Sequence, residues 1–531
     1  QWLINGYDNF QTLYGARRNV GSERNTVAGN VMFDLKPFKI KVGGTMNSRV
    51  SNGYTLTTYA STLLNSDYNR RAESKQMTFY TNLTWILSTK SYLKAKFSMF
   101  NYDETFGDDH HWDNVTNYGS PNDGWNRYMS GVGLNPLSVA GLANFWSYGR
   151  VWDDYSHQNT SYTGVTVDYL NQIGDHEVTA GAEYRGNTIK YYRVAQPVEL
   201  AASLDGVDPS SFTDEEMFII YRNAYTENFG YDMYGNEDEN GQEYQDPGKP
   251  TVMGAYINDK LELKDLVVNL GIRYDYFNPN TEAPADWNDI SMVNGHIDRA
   301  GSNYEAVDAD VQINPRLGLS FPVTDKTKFH AQYGKFSQHP ILNRLYLSDV
   351  VFAANMTSGN YTNTPNAKLA TEKTTQYEVG FSQALGENVA IDVTGFYKEI
   401  RDYTTLKNLF NAEVDGAGFV WAQYQNGDYG VVKGVSFGMN MNRTGGLSAN
   451  LSYTASWAEG TGSDPESNYY IAWQSDQGEN GFPALINPLE YDQRHTGTLM
   501  LDYRMGDMGM FSNTGLNMVY TFWLWYDLHA S

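Results

Sequence analysis

The stretch Leu266-Val-Val-Asn-Leu-Gly-Ile-Arg-Tyr-Asp-Tyr-Phe277 alternates without a break. One set is Leu266, Val268, Leu270, Ile272, Tyr274 and Tyr276. The other is Val267, Asn269, Gly271, Arg273 and Asp275. A period of two belongs to a β-strand with unlike solvents on its two faces. The apolar set is also graded, aliphatic first and tyrosine last. A strand crossing a bilayer needs that gradient, with hydrocarbon at mid-depth and amphipathic rings at headgroup level.

The pattern recurs outward from this stretch. From Leu447, one face reads Leu447, Ala449, Leu451, Tyr453, Ala455, Trp457 against Ser448, Asn450, Ser452, Thr454, Ser456. Strands come in pairs around tight turns. Val27–Leu35 turns at Lys36-Pro37 into Phe38–Asn47, and Met77–Leu87 turns into Tyr92–Tyr102. Tyr162–Leu170 turns into Glu177–Asn187, and Thr251–Leu263 turns at Lys264-Asp265 into Leu266–Phe277. Arg316–Val323 turns through Asp325-Lys326 into Lys328–Ser337, and Thr374–Leu385 turns at Gly386-Glu387 into Val389–Lys398. Lys433–Arg443 turns at Gly445-Gly446 into Leu447–Trp457, and Thr496–Arg504 turns through Gly506-Asp507 into Phe511–Phe522. The other connections are polar, aromatic-studded and roughly 30–60 residues long, far above the usual median.

The expected fold is all-β, a transmembrane antiparallel up-and-down β-barrel with about 16 strands legible. Soluble sandwiches use shorter strands and connections. Lys94, Lys96, Asp168, Glu183, Arg185 and Glu378 fall on the polar faces. A Lys or Arg facing lipid at mid-depth costs about 2–4 kcal/mol, so these faces should line a wet lumen. Short turns are expected on the periplasmic side and long loops outside.

Composition agrees. In 531 residues, 15% are aromatic, with Tyr 41 and Trp 12, as expected where rings mark two membrane interfaces. Mean hydropathy is -0.54, because every second residue of a barrel strand faces water. The absence of cysteine excludes disulfides, thiolate metal sites and thiol nucleophiles. A net charge of -24 argues against nucleic acid as a partner.

Three segments carry a family resemblance. Asn314-Pro-Arg-Leu-Gly-Leu-Ser-Phe-Pro-Val, followed by Thr324-Asp-Lys-Thr and His330-Ala-Gln-Tyr-Gly-Lys-Phe, resembles a signature hairpin of TonB-dependent outer-membrane receptors. Thr364-Pro-Asn-Ala-Lys-Leu-Ala-Thr-Glu resembles that family's Asn-Pro-x-Leu-Lys-Pro-Glu segment, departing from it at Ala367, Ala370 and Thr371. Tyr491-Asp-Gln-Arg-His-Thr is similar to the Bacteroidota branch, with its Oar-like and SusC-like receptors. The resemblance implies that residues 1–531 are the barrel domain of a longer receptor. The family barrel has about 22 strands around an N-terminal plug. The plug, its TonB-binding motif and the C-terminal strands are expected outside this sequence.

It further implies a Gram-negative outer membrane and TonB-dependent import of a nutrient: glycan, peptide or metal chelate. The implied partners are outer-membrane lipid and lipopolysaccharide, TonB-ExbB-ExbD acting through the plug, and a surface lipoprotein lid. Two other readings fit the barrel. A plugless diffusion porin predicts uptake independent of proton-motive force. A surface adhesion or scaffold barrel predicts binding without flux.

Candidate site residues lie in the long loops. Trp112, Trp125, Trp146 and Trp152 share the most aromatic loop, Asp103–His157, and offer rigid faces for cargo. Packing of the loop against itself explains the same rings. Asp108, Asp109, His110, His111 and Asp113 lack a spacing that converges on one ion, so a solvated polar loop is expected. Asn236, Asp238 and Asn240 mimic the first half of a calcium loop, but its twelfth position is Pro247. A Ca2+ there competes with an acidic, disordered loop tip. Gly434-Val-Ser-Phe-Gly438 matches a nucleophile-elbow pattern, yet alternation runs straight through it, so Ser436 reads as a lumenal strand residue. No enzymatic activity is expected.

Overall fold

The computed structural model describes residues 21–53, 69–119, 151–237, 246–358, 363–414, 417–467, 485–506, 509 and 514–525. Sixteen long strands follow in chain order. They are β1 (Ser22–Leu35), β2 (Phe38–Asn52), β3 (Arg70–Ile86), β4 (Ser91–Asp108), β5 (Tyr155–Ile173), β6 (His176–Val194), β7 (Thr251–Leu263) and β8 (Leu266–Asn278). The second half comprises β9 (Asp310–Thr324), β10 (Thr327–Gln338), β11 (Glu372–Leu385), β12 (Val389–Val414), β13 (Ala417–Thr444), β14 (Leu447–Gly460), β15 (Gln493–Arg504) and β16 (Gly515–Trp525). Each pairs antiparallel with the next, so the sheet is one up-and-down meander. The β13–β14 turn shows the local chemistry. Gly445 and Gly446 have φ of 57° and 89°, the left-handed pair that a tight two-residue hairpin requires.

The register aligns the two faces across neighbouring strands. Val268, Leu319, Ala331, Val379, Gly395, Val435 and Ala455 form one continuous row from β8 to β14. Leu270, Val379 and Val435 on this face are about half exposed, at 53%, 53% and 46%. Uncovered apolar surface on that scale marks a lipid or partner interface rather than a water-facing wall. Tyr333, Tyr377 and Tyr397 make a ring ladder at its far edge, with centroids 5.2 and 6.4 Å apart.

A membrane strand needs about 9–11 residues. β5 and β6 have 19 each, so their far ends stand clear of a bilayer. Those ends carry a folded cap. It includes α1 (Pro197–Leu204), α2 (Asp214–Asn223) and α3 (Asp349–Ser358). Thr213 and Glu216 form a reciprocal capping box on α2. The acidic stretch Asp214-Glu215-Glu216 therefore opens a packed helix, since Met217 and Tyr221 are buried in one cluster with Leu200 and Tyr192.

A second correction concerns residues 399–432. Lys398 and Lys433 were expected to bound a long loop. Instead β12 and β13 run on to 26 and 28 residues as one projecting ribbon. Tyr424 pairs with Leu406 and Trp421 with Leu409. Burial of Leu406 and Trp421 in the cap stabilises the extension.

Candidate functional site

The polar face of β4–β10 carries a network of side chains linked strand to strand. Lys94 stands opposite Asp168. Tyr256 on β7 donates to Asp168 Oδ1 at 2.7 Å, and Gly181 on β6 leaves room for its ring. Arg273 on β8 pairs with Asp275 at 2.6 Å and with Glu183 on β6. Asn314 continues the chain, donating to Asp275 Oδ2 at 2.8 Å and to Ser337 Oγ at 2.7 Å. Neighbouring strands thus answer one another's charges along a face that an apolar wall would leave empty. Glu183 and Asp168, expected to line a lumen, take part in it. Ser436 lies in β13, where its hydroxyl meets Thr454 at 3.2 Å, as a strand residue should.

At the mouth, Asp108 ends β4 and is fully buried. Its Oδ1 accepts the His110 and His111 backbone N–H groups, each at 3.0 Å, and its Oδ2 accepts that of Trp152 at 3.2 Å. Burial pushes the carboxyl up to about 6, against the pull of those three donors. The expectation of a solvated polar loop fails for Asp108 and His111, which are buried, while His110 and Asp113 are exposed as expected. Tyr118, also buried, donates to the Trp112 carbonyl at 2.6 Å and accepts the Asp108 N–H at 3.0 Å. Asp109 takes Arg71 and Asn52, both at 3.1 Å. Among the described residues no group of three or more His, Cys, Asp or Glu gathers as a metal site.

The named tryptophans divide. Trp112 has φ 48°, and the Arg71 guanidinium lies 5.3 Å from its ring centroid. Trp152 is tied through its N–H to Asp108. Both are half-buried and held by Asp108, the Trp112 main-chain N–H by its carbonyl at 2.9 Å and the Trp152 main-chain N–H by its carboxylate at 3.2 Å, although 40 residues separate them. Trp125 and Trp146 lie outside the described residues. So do Asp238 and Asn240 of the calcium candidate. Asn236 is described, and its side-chain amide donates to Asp232 at 2.9 Å.

Deeper in the cap, α3 holds a buried ion pair that sequence reading missed. Arg299 Nε donates to Asp349 Oδ2 at 2.8 Å, with the guanidinium over the Tyr304 ring at 4.7 Å. Burial holds the Asp349 carboxyl above its ordinary range, and Arg299 opposes the shift. The strand-start motifs also acquire roles. Asn366 donates to the Tyr424 carbonyl at 3.0 Å, Asp310 accepts the Thr371 N–H at 2.7 Å, and Asp492 accepts the Ala458 N–H at 2.8 Å. The first bond fastens Asn366 to the β12–β13 ribbon, and the other two tie strand ends to one another.

A large antiparallel meander with one apolar face, one ion-paired face and a folded cap at one end defines an outer-membrane receptor barrel. Residues 40–527 match the family described as TonB dependent receptor-like, beta-barrel. The chain belongs to that family. Solved structures share the fold. The FrpB iron transporter from Neisseria meningitidis (F3-3 variant) is 15% identical with a TM-score of 0.52, covering 93% of this chain and 60% of that one. The outer-membrane transporter YddB from Escherichia coli is 13% identical with a TM-score of 0.56, covering 90% and 54%. A ferric enterobactin receptor (PfeA) mutant from Pseudomonas aeruginosa is 12% identical with a TM-score of 0.54, covering 94% and 57%. This chain therefore spans little more than half the length of the structures it resembles. No curated protein sequence matches it.

Proposed function

We propose that this chain is the barrel of an outer-membrane active transporter that imports a nutrient by TonB coupling. The observation that carries the reading is the charged polar wall, Asp168–Tyr256 and Glu183–Arg273–Asp275–Asn314, inside a barrel of the receptor family. Such a wall suits a water-filled lumen and contacts with a polar segment seated in it. The cargo is a glycan, peptide or metal chelate, met first by the loop cap. Trp112, Trp125, Trp146 and Trp152 are the proposed cargo contacts, and Ca2+ near Asn236, Asp238 and Asn240 is the proposed ion. The proposed setting is a Gram-negative outer membrane of Bacteroidota type. TonB-ExbB-ExbD would act through a plug, and a surface lipoprotein would serve as lid.

The test is growth on a panel of glycans, peptides and ferric chelates, with and without the receptor gene and TonB. One nutrient should require both. Uptake that needs the receptor but not TonB would replace this reading with the diffusion porin, and binding without uptake would replace it with the scaffold.

A further inference from the structure

The polar face of β8–β10 contains a basin of about 400 Å3 built around Arg316. The register sets Gly271 of β8 and Gly334 of β10 directly beside Arg316 of β9. Gly318 follows two residues along on the same face. Each glycine is overlain by a neighbour's side chain. Asn258 lies over Gly271, Asn269 over Gly318, and the Phe336 ring over Gly334. A Cβ at Gly334 would meet that ring at 2.9 Å. The Phe336 ring in turn holds the guanidinium at 4.9 Å. Gln332 and Gln376 complete the rim with two more carboxamides.

Arg316, like Arg185 on the same polar face, stands apart from the ion-paired arginines of the wall and cap. Arg273 is answered by Glu183 and Asp275, Arg193 by Asp154, Arg299 by Asp349 and Arg344 by Glu466. Arg316 has no carboxylate partner among the described residues. Three acids flank the basin without reaching Arg316: Glu177 and Asp259 line it, and Glu378 stands opposite Gln332 and accepts the Gln376 side-chain N–H. Asp259 meets His176 at 2.7 Å, and Glu177 stands opposite Lys260, which pairs with Glu262. In a chain of net charge -24, an arginine left without an acid, stacked on a ring and ringed by amides, is a prepared place for one.

We propose that the Arg316 basin is a carboxylate-binding seat on the inner wall. The planar guanidinium presents two parallel N–H donors that match a carboxylate, the Phe336 ring fixes its plane, and the carboxamides of Asn269 and Gln332 supply further donors. The carboxylate belongs to a small organic acid in the lumen or to an acidic side chain of a polypeptide segment seated there. The seat rests on the wall's geometry, so failure of TonB coupling would leave it standing.

Two measurements on the full chain distinguish the sources. In the first, binding of radiolabelled succinate to the detergent-purified receptor is followed by equilibrium dialysis at low salt. In the second, Gln332→p-benzoylphenylalanine is photolysed in cells to capture a polypeptide at the basin. Saturable succinate binding that weakens at least tenfold in Arg316→Gln assigns a free acid. A crosslink to a defined acidic segment that disappears in Arg316→Gln assigns a polypeptide. Arg316→Lys keeps the charge but loses the two-pronged geometry and should fall between. It also reports the result should Arg316→Gln fail to assemble. Absence of both signals, or signals that neither variant changes, overturns the proposal.

Discussion

The Arg273 guanidinium crosses the backbone of Gly254 to reach Glu183, two strands away. Gly254 stands between them in register, opposite Glu183 on one side and Asp275 on the other. A Cβ there would lie 3.1 Å from Arg273 Cζ and 2.9 Å from Glu183 Oε1. Gly254→Val should therefore break the pair and leave both charges half-solvated, costing about 1–3 kcal/mol. After that change, Glu183→Gln should cost almost nothing more. A double-mutant cycle in a lipid refolding titration measures the coupling, and fully additive losses would mean that the pair contributes nothing.

Much of the fold was legible, and the limits have local causes. Period-two alternation located seven tight-turn hairpins, because each strand near its turn has an apolar face and a polar one. It also found the β15–β16 pair, but β16 begins at Gly515 rather than Phe511, and Asp507 of the expected turn lies outside the described residues. The β12–β13 ribbon escaped because its alternation slips phase. Register shifts fall between Ile400 and Tyr403 and again between Tyr403 and Thr404, with Asp402 at φ 60°. Past that slip, the same sequence pattern reads as polar on both faces. The site was harder still. Arg273 and Glu183 are 90 residues apart, and only the register across three strands brings them together. Asp108 was visible as one acid in a polar cluster. Its burial depends on Tyr118 and on the distant Trp152, which no local pattern announces.

The two faces of β14 should respond oppositely to charge. Leu451 stands between Met439 and Leu499 on the apolar face. Asn450 points the other way and hydrogen-bonds Asn440. Leu451→Arg should destabilise by roughly 2–4 kcal/mol in lipid, whereas Asn450→Arg should be mild. Refolding titrations in lipid vesicles compare the two, and equal losses would show that the apolar face does not meet hydrocarbon.

The ribbon should be separable from the barrel. Phe352 sits between Trp287 and Trp421, with both ring centroids at 6.0 Å. Phe352 is fully buried and Trp421 nearly so. Trp421→Ala should cost the cap about 3–5 kcal/mol by opening that stack. The ladder near the β13–β14 turn shares no contact with it. Limited proteolysis of intact cells should then cut the ribbon faster while barrel heat-resistance on gels stays unchanged. Loss of both together would make cap and barrel one cooperative unit.

The loop at Asp108 should tighten on acidification. Its carboxyl is pushed up to about 6 in the folded loop, while an exposed aspartate sits near 4. Between those values the folded form binds more protons than the open form. Stability then falls as pH rises through this window, is greatest below it and levels off above it. Protonation leaves Oδ atoms that still accept the His110, His111 and Trp152 N–H groups while removing a buried charge. Protease protection of the Trp112 segment should therefore increase from pH 7 to pH 5. Asp108→Asn should flatten that response, because no titrating group is left, and should weaken the loop at every pH, because its amide nitrogen cannot accept one of the three donors. Protection that falls on acidification, or a variant with the full pH response, would place the titrating group elsewhere.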